Sequence, residues 1–310
     1  MGAEGVRGGV YELDDARCAA MLPAREAGSH KGSHGTLVCL VGSAQYAGAA
    51  LLVAAAATRG GAGLVVLAVP QSVVSLVAGR VAEAITLALP EADGDVQSAA
   101  AWEVINDRPA EALVVGCGLS ESEGNRRLVL ELLAQRPPDP DGAAGRRLAP
   151  AVIDGGALNL LARVDEWWQT VRRECVLTPH PGEFARLTGR AVGGADGERT
   201  ERCRRAAAVF GQVVVLNGAR LVISAPDGRT ALAPFANPGL ASAGTGDVLA
   251  GLIGALLAQG LKPFEAASAG VYLHGLAGER MRAQLGEAGP VASDLPYEIA
   301  LARRDLRTAS

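Results

Sequence analysis

Short, unbroken apolar runs recur along this chain, each closed by glycine or a polar turn, with helix-length stretches between them. They fall at residues 36–41 (TLVCLV), 64–69 (LVVLAV), 85–89, 112–115, 151–153, 175–177 and 213–216. A strand apolar on both faces must be covered on both faces, which is the condition of a parallel sheet buried between helices. Helices are predicted at 49–59, 73–80, 95–106, 125–135, 157–162, 183–187 and 197–210, then at 248–260, 263–284 and 296–303. Near the end, 221–224 and 230–233 flank Asp227-Gly228, a hairpin signal. The expected fold is α/β: an α/β/α sandwich on a mostly parallel central sheet, with a late antiparallel hairpin. Residues 1–29 lack this rhythm and read as an N-terminal tail, so a single domain is expected over 30–310. The Pro-, Gly- and charge-rich stretch 136–150 reads as a surface insertion within it.

Ligands of such sheets gather at the carboxyl ends of the strands. The polar turns at 42–48, 116–118, 154, 178–183 and 217–220 all stand at strand ends, so they should meet along one rim. The turn at 244–247 joins them. It belongs to the stretch NPGLASAGTGDVLAGLIGALLAQG, where small polar residues run straight into an apolar helix carrying Val248, Leu249, Leu252, Ile253, Leu256 and Leu257. A helix N-terminus presents unpaired N–H groups and a positive dipole end, so Gly244, Thr245 and Gly246 form a candidate anion hole. Asp247 is then either a helix-stabilising acid of the first turn or a base beside a phosphate. His180, held between Pro179 and Pro181, is either an exposed loop histidine or a rim ligand. Glu183 caps the next helix or faces the ligand. Asp154 orients metal-bound water or caps its own helix. His274 lies in an apolar helix and reads as core, and Trp167-Trp168 as a packing anchor. Read locally, 42–49 and 116–118 are simple connections.

Composition narrows the function classes. With 49% hydrophobic and 20% charged residues a large core is available, and disorder is excluded. The net charge of −4, without a basic run, argues against a nucleic-acid partner. Five scattered cysteines suit neither a zinc site nor a disulfide framework, and a reducing cytoplasm is the expected location. The apolar runs are too short to span a membrane.

Taken in order, KGSHG, GSAQYAGAALLVAAAATRGGAGLV, GCGLS, VIDGGALNLL, LTPHPGEFARLTG, LNGARLVI and NPGLASAGTGDVLAGLIGALLAQGL resemble the ADP-dependent NAD(P)H-hydrate dehydratase family, of ribokinase-like fold. That family repairs nicotinamide cofactors that have gained water across a ring double bond. The resemblance implies a nucleotide co-substrate, ADP or ATP, with Mg²⁺, and a hydrated NADH or NADPH substrate. It implies that Ala49, Gly118, His180 and Asp247 contact the hydrate, with Asp247 as base. It implies that Asn217, Gly218, Ala219, Arg220, Leu221 and Gly246 line the nucleotide site. It further implies a homo-oligomer, a tetramer, and an epimerase on a separate protein. Three positions depart from the family pattern. Asn217 stands where lysine is usual, Cys117 interrupts the usual GPGLG, and Gly155-Gly156 lacks a second acid after Asp154. A small-molecule kinase of the same fold, or a nucleotide-binding protein with little turnover, are the alternatives.

Overall fold

The computed structural model describes residues 9–134 and 148–308. In chain order the elements are β1 (Val10–Glu12), α1 (Asp15–Met21), β2 (Thr36–Leu40), α2 (Ala47–Gly60), β3 (Leu64–Pro70), α3 (Val74–Val77), β4 (Ala84–Leu89), β5 (Glu91–Ala92), β6 (Asp95–Val96), α4 (Ser98–Asn106), β7 (Ala112–Val115) and α5 (Glu123–Ala134). They continue with β8 (Ala151–Ile153), α6 (Gly155–Leu161), β9 (Cys175–Leu177), α7 (Pro181–Thr188), α8 (Asp196–Phe210), β10 (Val213–Leu216), β11 (Val222–Ser224), β12 (Thr230–Leu232), α9 (Thr245–Ala258), α10 (Pro263–Leu285) and α11 (Leu295–Thr308). The expected insertion at 136–150 lies, but for its last three residues, outside the described residues.

Ten strands form one sheet in the order β1-β12-β11-β10-β9-β8-β7-β2-β3-β4. Its pairings are parallel except that β11 runs against both neighbours, which is the late hairpin expected from sequence. Alternation of side chains along each strand feeds two cores. Leu37 and Cys39 of β2 enter one, shared with α1, α2, α9, α10 and α11. Val38 and Leu40 enter the other, shared with α4 through α8. That is the α/β/α sandwich. Helix α9 lies deepest: every residue from Val248 to Ala258 is buried. It reaches that depth because small residues let it close on α2. A Cβ added at Gly251 would stand 2.5 Å from the carbonyl oxygen of Val53.

Strand order reverses at β2, which has β3 on one side and β7 on the other. This is the switch point where such sheets open a crevice. Backbone bonds lace the carboxyl ends into one rim. Gly42 N donates to Cys117 O at 2.8 Å, Asp154 N to Val115 O at 3.0 Å, Thr178 N to Ile153 O at 3.1 Å, and Asn217 N to Pro179 O at 3.0 Å.

Three expectations are corrected. The opening segment is no tail over its described part. β1 pairs with β12, Leu13 and Cys18 are buried, and the Tyr272 hydroxyl donates to Asp15 at 2.6 Å. The helix expected over 95–106 begins at Ser98. Asp93 and Gly94, at φ 51° and 78°, turn the chain between β5 and β6, and Asp95 accepts the Val96 and Gly124 amides. The helix expected over 73–80 shrinks to a 3-10 turn and the single turn of α3.

Candidate active site

Asp154 follows β8 directly and is only 8% exposed. Its Oδ1 accepts the Thr178 hydroxyl at 2.7 Å and its Oδ2 accepts the Cys117 thiol at 3.3 Å, so the ends of β7, β8 and β9 converge on one carboxylate. Glycine is required beside it: a Cβ at Gly116 would lie 2.0 Å from Asp154 O, and one at Gly156 would lie 2.3 Å from Leu119 O. The second of these contacts explains why no acid follows Asp154 at position 156. Asp247, in the first turn of α9, completes the group. Cys117 Sγ and one carboxylate oxygen each of Asp154 and Asp247 lie within 4.8 Å of one another.

Electrostatics follow from that crowding. Burial raises the pKa of Asp154, against the hydrogen bonds it accepts from Thr178, Cys117 and the Gly155 backbone. Burial, then the Asp154 charge, pushes Asp247 up to about 7. Burial and both carboxylates hold the Cys117 thiol well above its ordinary value, so it stays protonated. Two nearby carboxylates do not ionise independently, and an acid that titrates near neutrality is suited to proton transfer.

The turn before α9 is fixed from below. Gly244 adopts φ 90°, Thr245 Oγ1 lies 2.8 Å from Leu240 O and 2.9 Å from Ser242 O, and His274 Nε2 lies 3.0 Å from Thr245 O. Burial lowers the His274 pKa to about 4, so the ring is neutral and donates its Nε2–H to that carbonyl. His274 therefore holds the turn that opens α9 from the core. The first-turn N–H groups of α9 have no partner of their own inside the helix.

Across the rim, His180 caps α7. Its Nδ1 accepts the Gly182 amide at 3.0 Å, and the Glu183 carboxylate returns the favour to His180 N at 2.9 Å. Of the two readings of Glu183, the cap is present. Its pKa nonetheless rises to about 7, through burial and then the Asp154 charge. The His180 ring keeps its side chain 56% exposed, and burial followed by Arg186 lowers its pKa.

These residues surround a cavity of about 760 Å³. His180, Asn217, Gly218, Ala219, Leu221, Gly244, Thr245, Gly246 and Asp247 all line it, as do Asp154 and Thr178. Ala49 and Gly118 are not among its walls. They meet each other beside Cys117, where a Cβ at Gly118 would fall 2.6 Å from that of Ala49. Arg220 also stays out of the wall. It pairs with Glu12 and, at 3.7 Å, with Asp196, and its Nε donates to Ala233 O at 3.2 Å. Phe235, Asn237 and Leu240 line the cavity without having been singled out in the sequence. The Asn237-Pro238 pair, which starts a helical turn by accepting the Gly239 amide at 2.8 Å, was the available signal.

A sequence profile described as NAD(P)H-hydrate dehydratase matches residues 37–299. The chain belongs to the NAD(P)H-hydrate dehydratase family. An ADP-dependent (S)-NAD(P)H-hydrate dehydratase of Neisseria meningitidis is 38% identical, over 93% of this chain and 90% of its own length. A bifunctional NAD(P)H-hydrate repair enzyme of Moorella thermoacetica is 40% identical over 96% of this chain, and the chain spans 55% of that relative's length. It spans about half of three other bifunctional relatives as well, at 52%, 53% and 50% of their lengths. The crystal structure of a Bacillus subtilis ADP/ATP-dependent NAD(P)H-hydrate dehydratase, co-crystallised with ATP and Mg²⁺, superposes with a TM-score of 0.80 at 31% identity, covering 96% of this chain and 99% of that one. The fold of this NAD(P)H-hydrate dehydratase family member is therefore ribokinase-like, as the sequence resemblance implied. Among the described residues, no helix is long and apolar enough to cross a membrane.

Proposed function

We propose that this chain dehydrates hydrated NADH and NADPH back to the intact cofactors while ADP becomes AMP and phosphate. The observation that carries the reading is Asp247. It is an acid tuned to near neutrality, at the N-terminus of the buried helix α9, on a cavity shared with His180 and the 217–221 loop. Hydroxide is a poor leaving group, and a hydroxyl must be activated before it departs. Asp247 takes the proton of the ring hydroxyl as its oxygen attacks the terminal phosphoryl group of ADP, and AMP leaves. The N–H groups of Gly244 and Gly246 face the transferred phosphoryl group, while that of Thr245 donates to Ser242 O at 3.4 Å and holds the turn. The ring nitrogen's lone pair then expels phosphate, the neighbouring carbon loses a proton, and the ring double bond re-forms. His180, on the cavity wall, orients the hydrate.

A hard cation takes oxygen ligands. Asp154 offers them, and its Oδ atoms keep lone pairs beyond those used by Thr178 and Cys117. The protonated Cys117 thiol does not suit such an ion. Asp154 would therefore hold Mg²⁺ together with the nucleotide phosphates, and the ion would neutralise their charge. The five cysteines are all free, which fits work in the cytoplasm. Only one epimer of the hydrate is the substrate, so an epimerase activity belongs beside this one. The test is the return of dihydronicotinamide absorbance when the protein meets hydrated NADH, ADP and Mg²⁺. No return with either ADP or ATP refutes the reading.

A further inference from the structure

Helix α8 reads DGERTERCRRAAAVF. Arg202 and Arg205 lie on its outer face, each paired with a glutamate one turn back at 2.7 Å. Arg199 differs from both. It is only 8% exposed, and among the described residues no carboxylate lies within ion-pair distance of it. Its Nη2 donates instead to two carbonyls of one loop, Asn217 O at 3.0 Å and Arg220 O at 3.3 Å. Between those carbonyls the guanidinium rests directly on glycine. A Cβ at Gly218 would fall 2.3 Å from Nη2 and 2.7 Å from Cζ. Gly218 is itself a wall of the cavity, so only a layer of backbone separates the charge from the space within.

A buried charge without a counter-charge is costly, and it persists when an anion answers it. The cavity wall contains Asp154, Glu183 and Asp247 but neither lysine nor arginine. Asn217 brings no charge to that wall, and its Nδ2 donates to Thr178 O at 2.7 Å. Two other cations serve elsewhere. Arg220 is engaged by Glu12 and Asp196. Lys31 precedes β2, packed against Gly63 at the amino ends of the strands, away from the rim.

We propose that Arg199 is a positioning residue for the nucleotide: it holds the 217–220 loop by two carbonyls and supplies, through Gly218, positive charge to a cavity whose wall carries neither lysine nor arginine. The inference rests on the nucleotide-dependent reading above. Removing one unit charge beneath a bound phosphate, across a layer of low polarity, is worth about a tenfold loss of nucleotide affinity.

The test compares the wild-type protein with Arg199→Gln, Arg199→Lys and the double variant Arg199→Gln/Asn217→Lys. The readouts are ADP binding by calorimetry and turnover of hydrated NADH, with folding checked by circular dichroism. Arg199→Gln is expected to raise the ADP KM about tenfold while kcat and the KM for the hydrate stay within about threefold. The double variant should recover most of the ADP affinity, since its new lysine restores charge at another site. Should Arg199→Gln fail to fold, Arg199→Lys decides. It keeps the charge, and its ammonium has donors enough for the same two carbonyls, so its ADP KM should stay within about threefold of wild type, and a folded Arg199→Lys protein that has lost ADP affinity overturns the proposal. An unchanged ADP KM in folded Arg199→Gln, or no recovery in the double variant, overturns it equally. Wild-type protein that neither binds ADP nor turns over refutes the underlying reading, and the proposal with it.

Discussion

Replacing Asp247 by asparagine should make this protein inactive and, at alkaline pH, more stable. The sign follows from burial. The Asp247 carboxyl rises from its ordinary 3.8 to about 7 in the folded chain. A group whose folded pKa is raised contributes stability that is fully present below its unfolded pKa and is lost as pH rises through the folded value. Wild type therefore loses stability between about pH 4 and pH 7, as Asp247 is forced to ionise beside Asp154. At about 1.4 kcal/mol per pH unit the ceiling is about 4 kcal/mol. Because Asp247 opens on the cavity, water and counter-ions reduce this to about 2 kcal/mol. Asparagine is isosteric and carries no charge, so its stability lacks that slope. The assay is a pair of melting curves for each protein, at pH 4 and pH 8. The variant's melting temperature relative to wild type should rise by about 4 °C between the two pH values. Its turnover should fall by a factor of about 100 to 10,000, the usual worth of a general base. A melting difference that does not move with pH, or a variant keeping more than about a tenth of the activity, refutes the reasoning.

Two further outcomes follow from the same geometry. kcat/KM should climb as pH rises to about 7 and level off above it, because Asp247 must be ionised to take a proton; a profile that falls through this range contradicts the assignment. Gly156→Ala puts a methyl group 2.3 Å from Leu119 O, where backbone must shift, and should lower stability by about 1–3 kcal/mol in denaturant titrations.

How much of this was legible in the sequence varies with the range of the interaction that decides it. β7, β8, β9 and β10 begin and end where their apolar runs do, because a strand buried on both faces announces itself locally. β1 does not. It is three residues at a sheet edge, and its partner β12 lies more than 200 positions along the chain, so no local period marks it. β5 and β6 were missed for another reason: Asp93-Gly94 is a turn signal inside a stretch that otherwise favours helix. In the site, the rim turns could be read because they stand at strand ends. The role of Arg199 could not. In DGERTERCRR it looks like one more residue of a solvated face, and only the packing of α8 beneath Gly218 sets it apart. His274 was read as a core histidine, and it is buried. What sequence could not supply was its acceptor, the Thr245 carbonyl 29 positions away in the turn that opens α9.

The proposed reaction couples the nucleotide to the damaged ring. The decisive measurement quantifies, in one reaction with hydrated NADH, ADP and Mg²⁺, the AMP formed and the dihydronicotinamide rings restored. One AMP for each ring restored is the expected result. AMP accumulating with a phosphorylated hydrate and no restored ring would show a kinase, and rings restored without AMP would show that the nucleotide takes no part.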